Sequence, residues 1–362
     1  MRDLLDGGAV SGRQQAAGPA VPQAGIPGSA RIARRRLLKA AVFGPHGQAG
    51  HAPPASDEAA AGPAGPAGTG LARPVPRAVT GRVLDVSPHV LLIGNGETEE
   101  RFALTADARA WRGDRTDPAA LKAGDHAVVR RHPSGREVAD RIWANIGRVT
   151  GTISWRDGDT LMVDRGDGGG QQALVISSRA AGRIQVRFPR LEPGYLIDIV
   201  GVRHDDYLEG LVPATSQPPY RADHVPAPAL VSGHVPGSIS GAAVWHEPGN
   251  EPGGLIGTGY PAIDPPNAAA PGSAGQRPAS GCVNLPYLSV GSHLRVRNDC
   301  TGLSLDLPVI GPAPVARLFC DRSVACGPSP RGRIADLTVA SFVELGGELD
   351  VGNFNATVEI EG

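Results

Sequence analysis

The feature that most constrains this chain is an ungapped internal repeat at an offset of about 70 residues. Val79-Thr80-Gly81-Arg82-Val83 returns as Val149-Thr150-Gly151-Thr152-Ile153, Leu91-Leu92-Ile93 as Leu161-Met162-Val163, and Ala103-Leu104 as Ala173-Leu174. Arg109-Ala110 matches Arg179-Ala180, and Leu121-Lys122-Ala123-Gly124 matches Leu191-Glu192-Pro193-Gly194. One structural unit is therefore used twice. Each copy consists of short alternating runs of Val, Ile and Leu, such as 81–86, 90–93, 101–104 and 125–130, broken by Gly, Asp, Pro and Ser. Alternation of this kind makes half-buried strands, and about five or six of them joined by tight turns specify a small barrel. The Gly124 and Gly194 elements read as turns that precede a buried strand.

Composition sets the boundaries around the repeats. The 50 glycines and 34 prolines gather in Ala/Gly/Pro-rich stretches that read as linkers. The expected organisation is all-β: 1–78, an export signal and disordered tether; 79–147 and 148–213, the two repeats, which resemble small OB-like barrels; 214–236, a Pro-rich linker; and 237–362, a third β-rich domain. Formal net charge is −1, from 35 basic and 36 acidic side chains. Phosphate-backbone binding needs a basic excess that no domain here has, so nucleic acid is not the expected partner. A single-strand platform would need exposed aromatics in a basic groove. Trp111, Trp143 and Trp155, with Arg130, Arg131 and Arg141, are the residues that could build one. The two copies do not place their tryptophans equivalently, so the tryptophans read as core and the barrels as spacer or adhesion modules.

No run approaches the roughly 18 apolar residues that would span a bilayer, so no transmembrane segment is expected. Ala33-Arg34-Arg35-Arg36-Leu37-Leu38-Lys39 resembles a twin-arginine export signal, with Arg34 and Arg35 as the pair and Leu37 and Leu38 at the apolar positions. The four cysteines, Cys282, Cys300, Cys320 and Cys326, all lie in the last domain. None forms a C-x-x-C pair and His293 is the only histidine near them, so neither a metal site nor a cofactor is expected. An even number in one domain suits two disulfides in an oxidising compartment, with the pairing open.

The last domain opens with Gly241-Ala242-Ala243-Val244-Trp245. Leu288-Ser289-Val290-Gly291-Ser292 then leads into Val296-Arg297-Asn298, a Thr301-Gly302 turn, a strand over 303–309, and Gly311-Pro312. Arg333-Ile334-Ala335-Asp336-Leu337-Thr338 follows, with Thr338 placed to cap a helix whose apolar face is Val339, Phe342 and Val343. In this order the landmarks resemble rare lipoprotein A and its expansin-like relatives. That resemblance implies a six-stranded double-psi β-barrel acting on peptidoglycan glycan strands. Lytic members use a histidine before the Leu-Pro-Leu-Gly-type turn and an aspartate two residues before the closing Gly-Pro. Here those places fall in Val283-Asn284-Leu285-Pro286 and on Val309, so neither acid–base group is present.

What remains is Asp336, matching the carboxylate that expansin-like proteins keep, unless its role is to cap the following helix. Asp306 is a second candidate acid on the neighbouring strand, with Asp321 and His293 further from the pattern. Candidate glycan contacts are Trp245, Asn284, Tyr287 and Asp336. The expectation is an exported, wall-associated protein that binds or remodels glycan strands without hydrolysis. The alternatives are a lytic transglycosylase-like enzyme using Asp336 and Asp306, and a structural or adhesion protein.

Overall fold

The computed structural model describes residues 76–96, 98–166, 169–225, 237–246, 254–263, 282–283, 285–320, 323–324, 326–328 and 332–360. Arg34, Arg35, Leu37 and Leu38 lie outside the described residues, as do Asn284 and Asp321.

The first repeat contributes β1 (Ala78–Val86), β2 (Val90–Gly94), β3 (Glu99–Trp111), the short β4 (Arg115–Thr116), β5 (His126–Arg131) and β6 (Val138–Ala144). Pairing runs β1-β2-β3-β6-β5 and back to β1, with β4 added to β3; the β3–β6 contact is parallel and the others antiparallel. The second repeat supplies β7 (Ile146–Asp157), β8 (Thr160–Asp164), β9 (Gln171–Ile176), helix α1 (Ala181–Arg187), β10 (Leu196–Arg203) and β11 (Tyr207–Pro213). Its closed ring is β7-β8-β9-β11-β10, again with one parallel contact, β9–β11. Strand order and direction are the same in the two copies.

The agreement extends to single residues. The β1–β2 ladder is irregular between Val83 and Asp85, and the β7–β8 ladder between Ile153 and Trp155, the same places at an offset of 70. Gly124 N–H donates to Val83 O at 2.8 Å and Gly194 N–H to Ile153 O at 2.7 Å. Both glycines sit at positive φ, +92° and +90°, which closes the turn before the buried strand at no steric cost.

Two of the five sequence blocks need correction. Leu91 faces Phe102 whereas Leu161 faces Leu174, so Phe102 rather than Leu104 is the partner of Leu174. The loop after β8, residues 165–170, is two residues longer than the loop after β2, residues 95–98. An even insertion keeps the same side chains inward, which hides it in an ungapped comparison. Arg109-Ala110 lies in a strand, while Ala180 is the N-cap residue of α1.

The third barrel is a closed ring of β12 (Ser238–Trp245), β13 (Thr258–Tyr260), β14 (His293–Asn298), β15 (Ser304–Pro312), β18 (Arg333–Leu337) and β19 (Asn353–Ile360). The pair β16 (Ser323–Val324) and β17 (Gly327–Pro328) stands apart from it. The ring order is β12-β18-β13-β15-β14-β19, with β12–β18 and β13–β15 parallel. Exchanging β12 with β15, β13 with β18 and β14 with β19 maps this ring onto itself, parallel contacts included. Helix α2 (Val339–Glu344) follows β18, and Thr338 caps it by accepting from Ser341 N–H at 3.2 Å. Asp336 therefore does not carry the cap.

The three barrels are not beads on a string. One buried cluster belongs to the first barrel alone, but a second runs unbroken from Ile153, Leu174 and Ile199 of the second barrel to Trp245, Val309 and Phe342 of the third. The expected linker is pinned as far as residue 225. Gln217 Nε2 donates to Leu196 O at 3.1 Å, and the Tyr220 hydroxyl donates to Leu318 O at 2.9 Å. Residues 226–236 lie outside the described set.

The first barrel also docks on the third. Arg130 pairs with Glu348 at 2.8 Å, Arg141 with Asp350 at 2.9 Å, and Trp143 Nε1 donates to Asp350 at 2.7 Å. Arg131 pairs with Glu100. The basic side chains that could have lined a nucleic-acid groove are thus engaged within the protein, and Trp111 and Trp143 are buried as expected; Trp155 is 51% exposed. Disulfides join Cys282 to Cys320 and Cys300 to Cys326, with Cα separations of 5.2 and 5.7 Å.

The shared fold of the repeats makes a paired prediction. A Cβ built on Gly151 would lie 2.1 Å from Asp164 O, and one on Gly81 would lie 2.7 Å from Gly94 O. Overpacking a tight backbone approach costs about 1–3 kcal/mol or more. Gly81→Ala and Gly151→Ala should each lower the denaturation midpoint, Gly151→Ala the more. Unchanged stability in either would show that the two copies do not share this strand crossing.

Candidate functional site

Where the second and third barrels meet, the sequence buries more charge than a barrel needs. Arg148 on β7, Asp198 on β10 and Arg333 on β18 are all 0–2% exposed. Arg148 grips Asp198 with two parallel bonds, Nε to Oδ1 at 2.8 Å and Nη2 to Oδ2 at 2.7 Å. Arg333 Nη2 donates to Asp198 Oδ2 at 2.6 Å from the other barrel. Thr150 and Thr215 hydroxyls complete the shell at 2.9 and 3.1 Å. Arg148 Nη1 continues into the third barrel, donating to the carbonyls of Trp245 at 2.9 Å and Gly352 at 2.6 Å. The Arg333 guanidinium lies on the Phe319 ring, 3.6 Å from its centre.

Burial alone would raise the Asp198 carboxyl, but the two guanidiniums override it and hold the group far below the ordinary carboxylate range. A buried charge is tolerated only when paired and hydrogen-bonded in this way.

The repeat serves as an internal control. At the same strand positions the first barrel has Ala78 where the second has Arg148, and Val128 where it has Asp198. The barrel closes with apolar residues there, so the charges answer to the neighbouring domain.

Beside this cluster opens a cleft of about 200 Å³. The second barrel lines it with Thr150, Arg165 and Gly169; the third contributes His246, Asp336 and the 312–316 segment. Parallel pairing of β12 with β18 sets Val244 beside Asp336 and Trp245 beside Leu337, which brings His246, just past the strand end, over Asp336. His246 Nδ1 lies 3.1 Å from the Asp336 carbonyl oxygen and 3.4 Å from its Oδ1. Two acceptors facing one nitrogen place a proton on Nδ1. Burial pushes the Asp336 carboxyl up, yet His246, with Arg148 and Arg333 behind it, more than offsets this and keeps it below its usual value. It is an ionised carboxylate at neutral pH, and its side chain is 22% exposed.

Of the residues singled out in the sequence, Asp336 alone lines the cleft as an accessible polar group. Asp306 is on the outer face of β15, 60% exposed and 3.9 Å from Arg295 across the ladder, and does not join Asp336. Trp245 borders the cleft but is 1% exposed, its Nε1 donating to Leu349 O at 3.0 Å, so it has no face to offer a sugar. Tyr287 packs half-buried against the core. His293 is exposed at the start of β14, and Val309 is buried at 1% exposure. Sequence reasoning missed His246, Arg148, Asp198 and Arg165. Two signals could have found them: a histidine directly after the Trp245 landmark, and polar residues in one repeat where the other is apolar.

No protein-family model matches this chain, and no curated protein sequence matches it either.

The sign of the acid dependence follows from the lowered Asp198 value. Its stabilising effect is complete above the unfolded carboxylate pKa, about 3.9, and is lost as pH falls through the lower folded value. Wild-type stability should fall steeply below about pH 4. In Asp198→Asn, stability should already be reduced at pH 7, and its acid dependence should be shallower. Parallel pH–stability curves for the two proteins would mean that Asp198 is not held ionised.

Proposed function

We propose that this is an exported, wall-associated protein whose third barrel, a double-psi β-barrel, binds glycan strands at the Asp336 cleft without hydrolysing them. The two-fold exchange symmetry of its six strands, with two parallel contacts, supports the double-psi assignment. The order 1-2-3-5-4 with a parallel 3–5 contact supports OB-like barrels for the repeats. Two disulfides fit an oxidising compartment, and among the described residues no helix is long and apolar enough to cross a membrane. Export through Arg34-Arg35 and Leu37-Leu38 is part of the proposal.

One observation carries the non-hydrolytic reading. Asp336 is the only carboxylate lining the cleft among the described residues, and it is ionised. Glycosidic hydrolysis ordinarily needs a pair, one of them protonated to assist the leaving oxygen. Val309 occupies the place of the second acid in the resembling lytic enzymes, and it is buried. An ionised carboxylate beside an imidazole can still accept hydrogen bonds from sugar hydroxyls. His246 favours a second reading, a lytic activity in which its imidazole supplies the proton that Asp336 cannot.

Peptidoglycan pelleting and product release separate these readings. Wild type should pellet with denuded glycan strands and release no anhydro-sugar products, and Asp336→Asn should pellet about tenfold less, the loss of one charge-assisted contact. Product release by wild type that Asp336→Asn and His246→Gln abolish would establish the lytic reading instead. Pelleting that is unaffected by Asp336→Asn would remove the cleft from the function. For export, Arg34→Lys with Arg35→Lys should retain the protein in the cell; normal secretion of that variant would dismiss the twin-arginine route.

A further inference from the structure

The cleft is built by two barrels, and the second barrel decides what fits. Its volume of about 200 Å³ lies below the roughly 300–1,000 Å³ of ordinary small-molecule sites. That is room for about one sugar ring within the cleft. The constriction comes from Arg165 and Gly166, directly after β8. Gly166, at φ +79°, lies so close to the third barrel that a Cβ there would sit 2.7 Å from Val315 Cγ2. This contact fixes the neighbouring Arg165 against the cleft.

Arg165 differs from the other cations there. Arg148 and Arg333 are consumed by Asp198 and by backbone carbonyls. Arg165 is half-buried, lines the cleft, and has no side-chain hydrogen bond or ion pair among the described residues. Among the described residues, the cleft and its floor hold Arg148, Arg165 and Arg333 against Asp198 and Asp336, an excess of one positive charge. The first repeat again acts as control: the residue that follows the equivalent strand is Asn95. The guanidinium is therefore not a requirement of the barrel. A partly desolvated cation without a partner recognises an anion, and a planar guanidinium matches a carboxylate with two parallel hydrogen bonds.

We infer that the cleft takes a single sugar unit bearing a free carboxylate, with Arg165 holding the carboxylate and Asp336 and His246 facing the ring hydroxyls. The inference rests on the reading of the cleft as a saccharide site. The carboxylate could belong to the ring of a uronic acid or to a lactate joined to the ring by an ether, and both present the same group to Arg165.

The test is calorimetric titration at pH 7 with two disaccharides, one carrying a uronic carboxylate and one an ether-linked lactate, each beside its methyl ester and a neutral analogue. Wild type should bind at least one acid about tenfold or more tighter than its ester. Arg165→Gln should abolish that difference, and Arg165→Lys should restore part of it. Whichever acid shows the larger preference identifies the source of the carboxylate. Equal binding of acids and esters by wild type would overturn the inference, and if that binding still depended on Asp336 the glycan-binding reading would stand. Absence of saccharide binding altogether would remove both. A preference for the acid that survives in Arg165→Gln would assign the carboxylate to another group and refute the role given to Arg165.

Discussion

The structure around the cleft depends on one buried carboxylate shared by two guanidiniums. Asp198 belongs to the second barrel and Arg333 to the third, and Arg148 reaches from the one to backbone carbonyls of the other. Each of these side chains would be costly to bury alone, and removing one partner from such a cluster typically costs about 3–5 kcal/mol. The charges therefore oblige the barrels to meet in one way, because another arrangement leaves a charge dry and unpaired. Three residues beyond Arg333 on the same strand stands Asp336, so the contact that joins the domains also positions the cleft.

A repeated domain within one chain separates what a fold requires from what a site requires. The two small barrels share strand order, bulge position and the glycine turn before β5 and β10. They differ at Ala78 and Arg148, Val128 and Asp198, Asn95 and Arg165, and in the length of one loop. Every one of these differences faces the third barrel or the cleft. These changes fit the second barrel to the third, while elsewhere the second unit carries α1 where the first has β4.

Much of the fold was legible from the sequence because it was written in local signals. Alternation marked the strands, Gly124 and Gly194 marked the turns, and Thr338 announced the α2 cap. The third barrel's landmarks fell on β12, the β14–β15 hairpin and β18 as expected. The site was less legible because its residues are brought together by pairings that local sequence does not encode. His246 meets Asp336 only through the parallel β12–β18 contact, and Asp306, next to the buried Leu307, turns outward with the alternation of β15. The insertion after β8 was invisible because an even shift preserves the inward face. The part of the second barrel in the cleft was hidden for a related reason: a buried arginine looks like any other arginine until its partner is known.

The central claim is that Asp198 and Arg333 couple the second and third barrels. A double-mutant cycle tests it most directly, with unfolding free energies of wild type, Asp198→Asn, Arg333→Met and the double variant measured at pH 7. The account predicts strong coupling, about 1–3 kcal/mol, with the double variant much less destabilised than the sum of the singles. Additive effects of the two substitutions would contradict it.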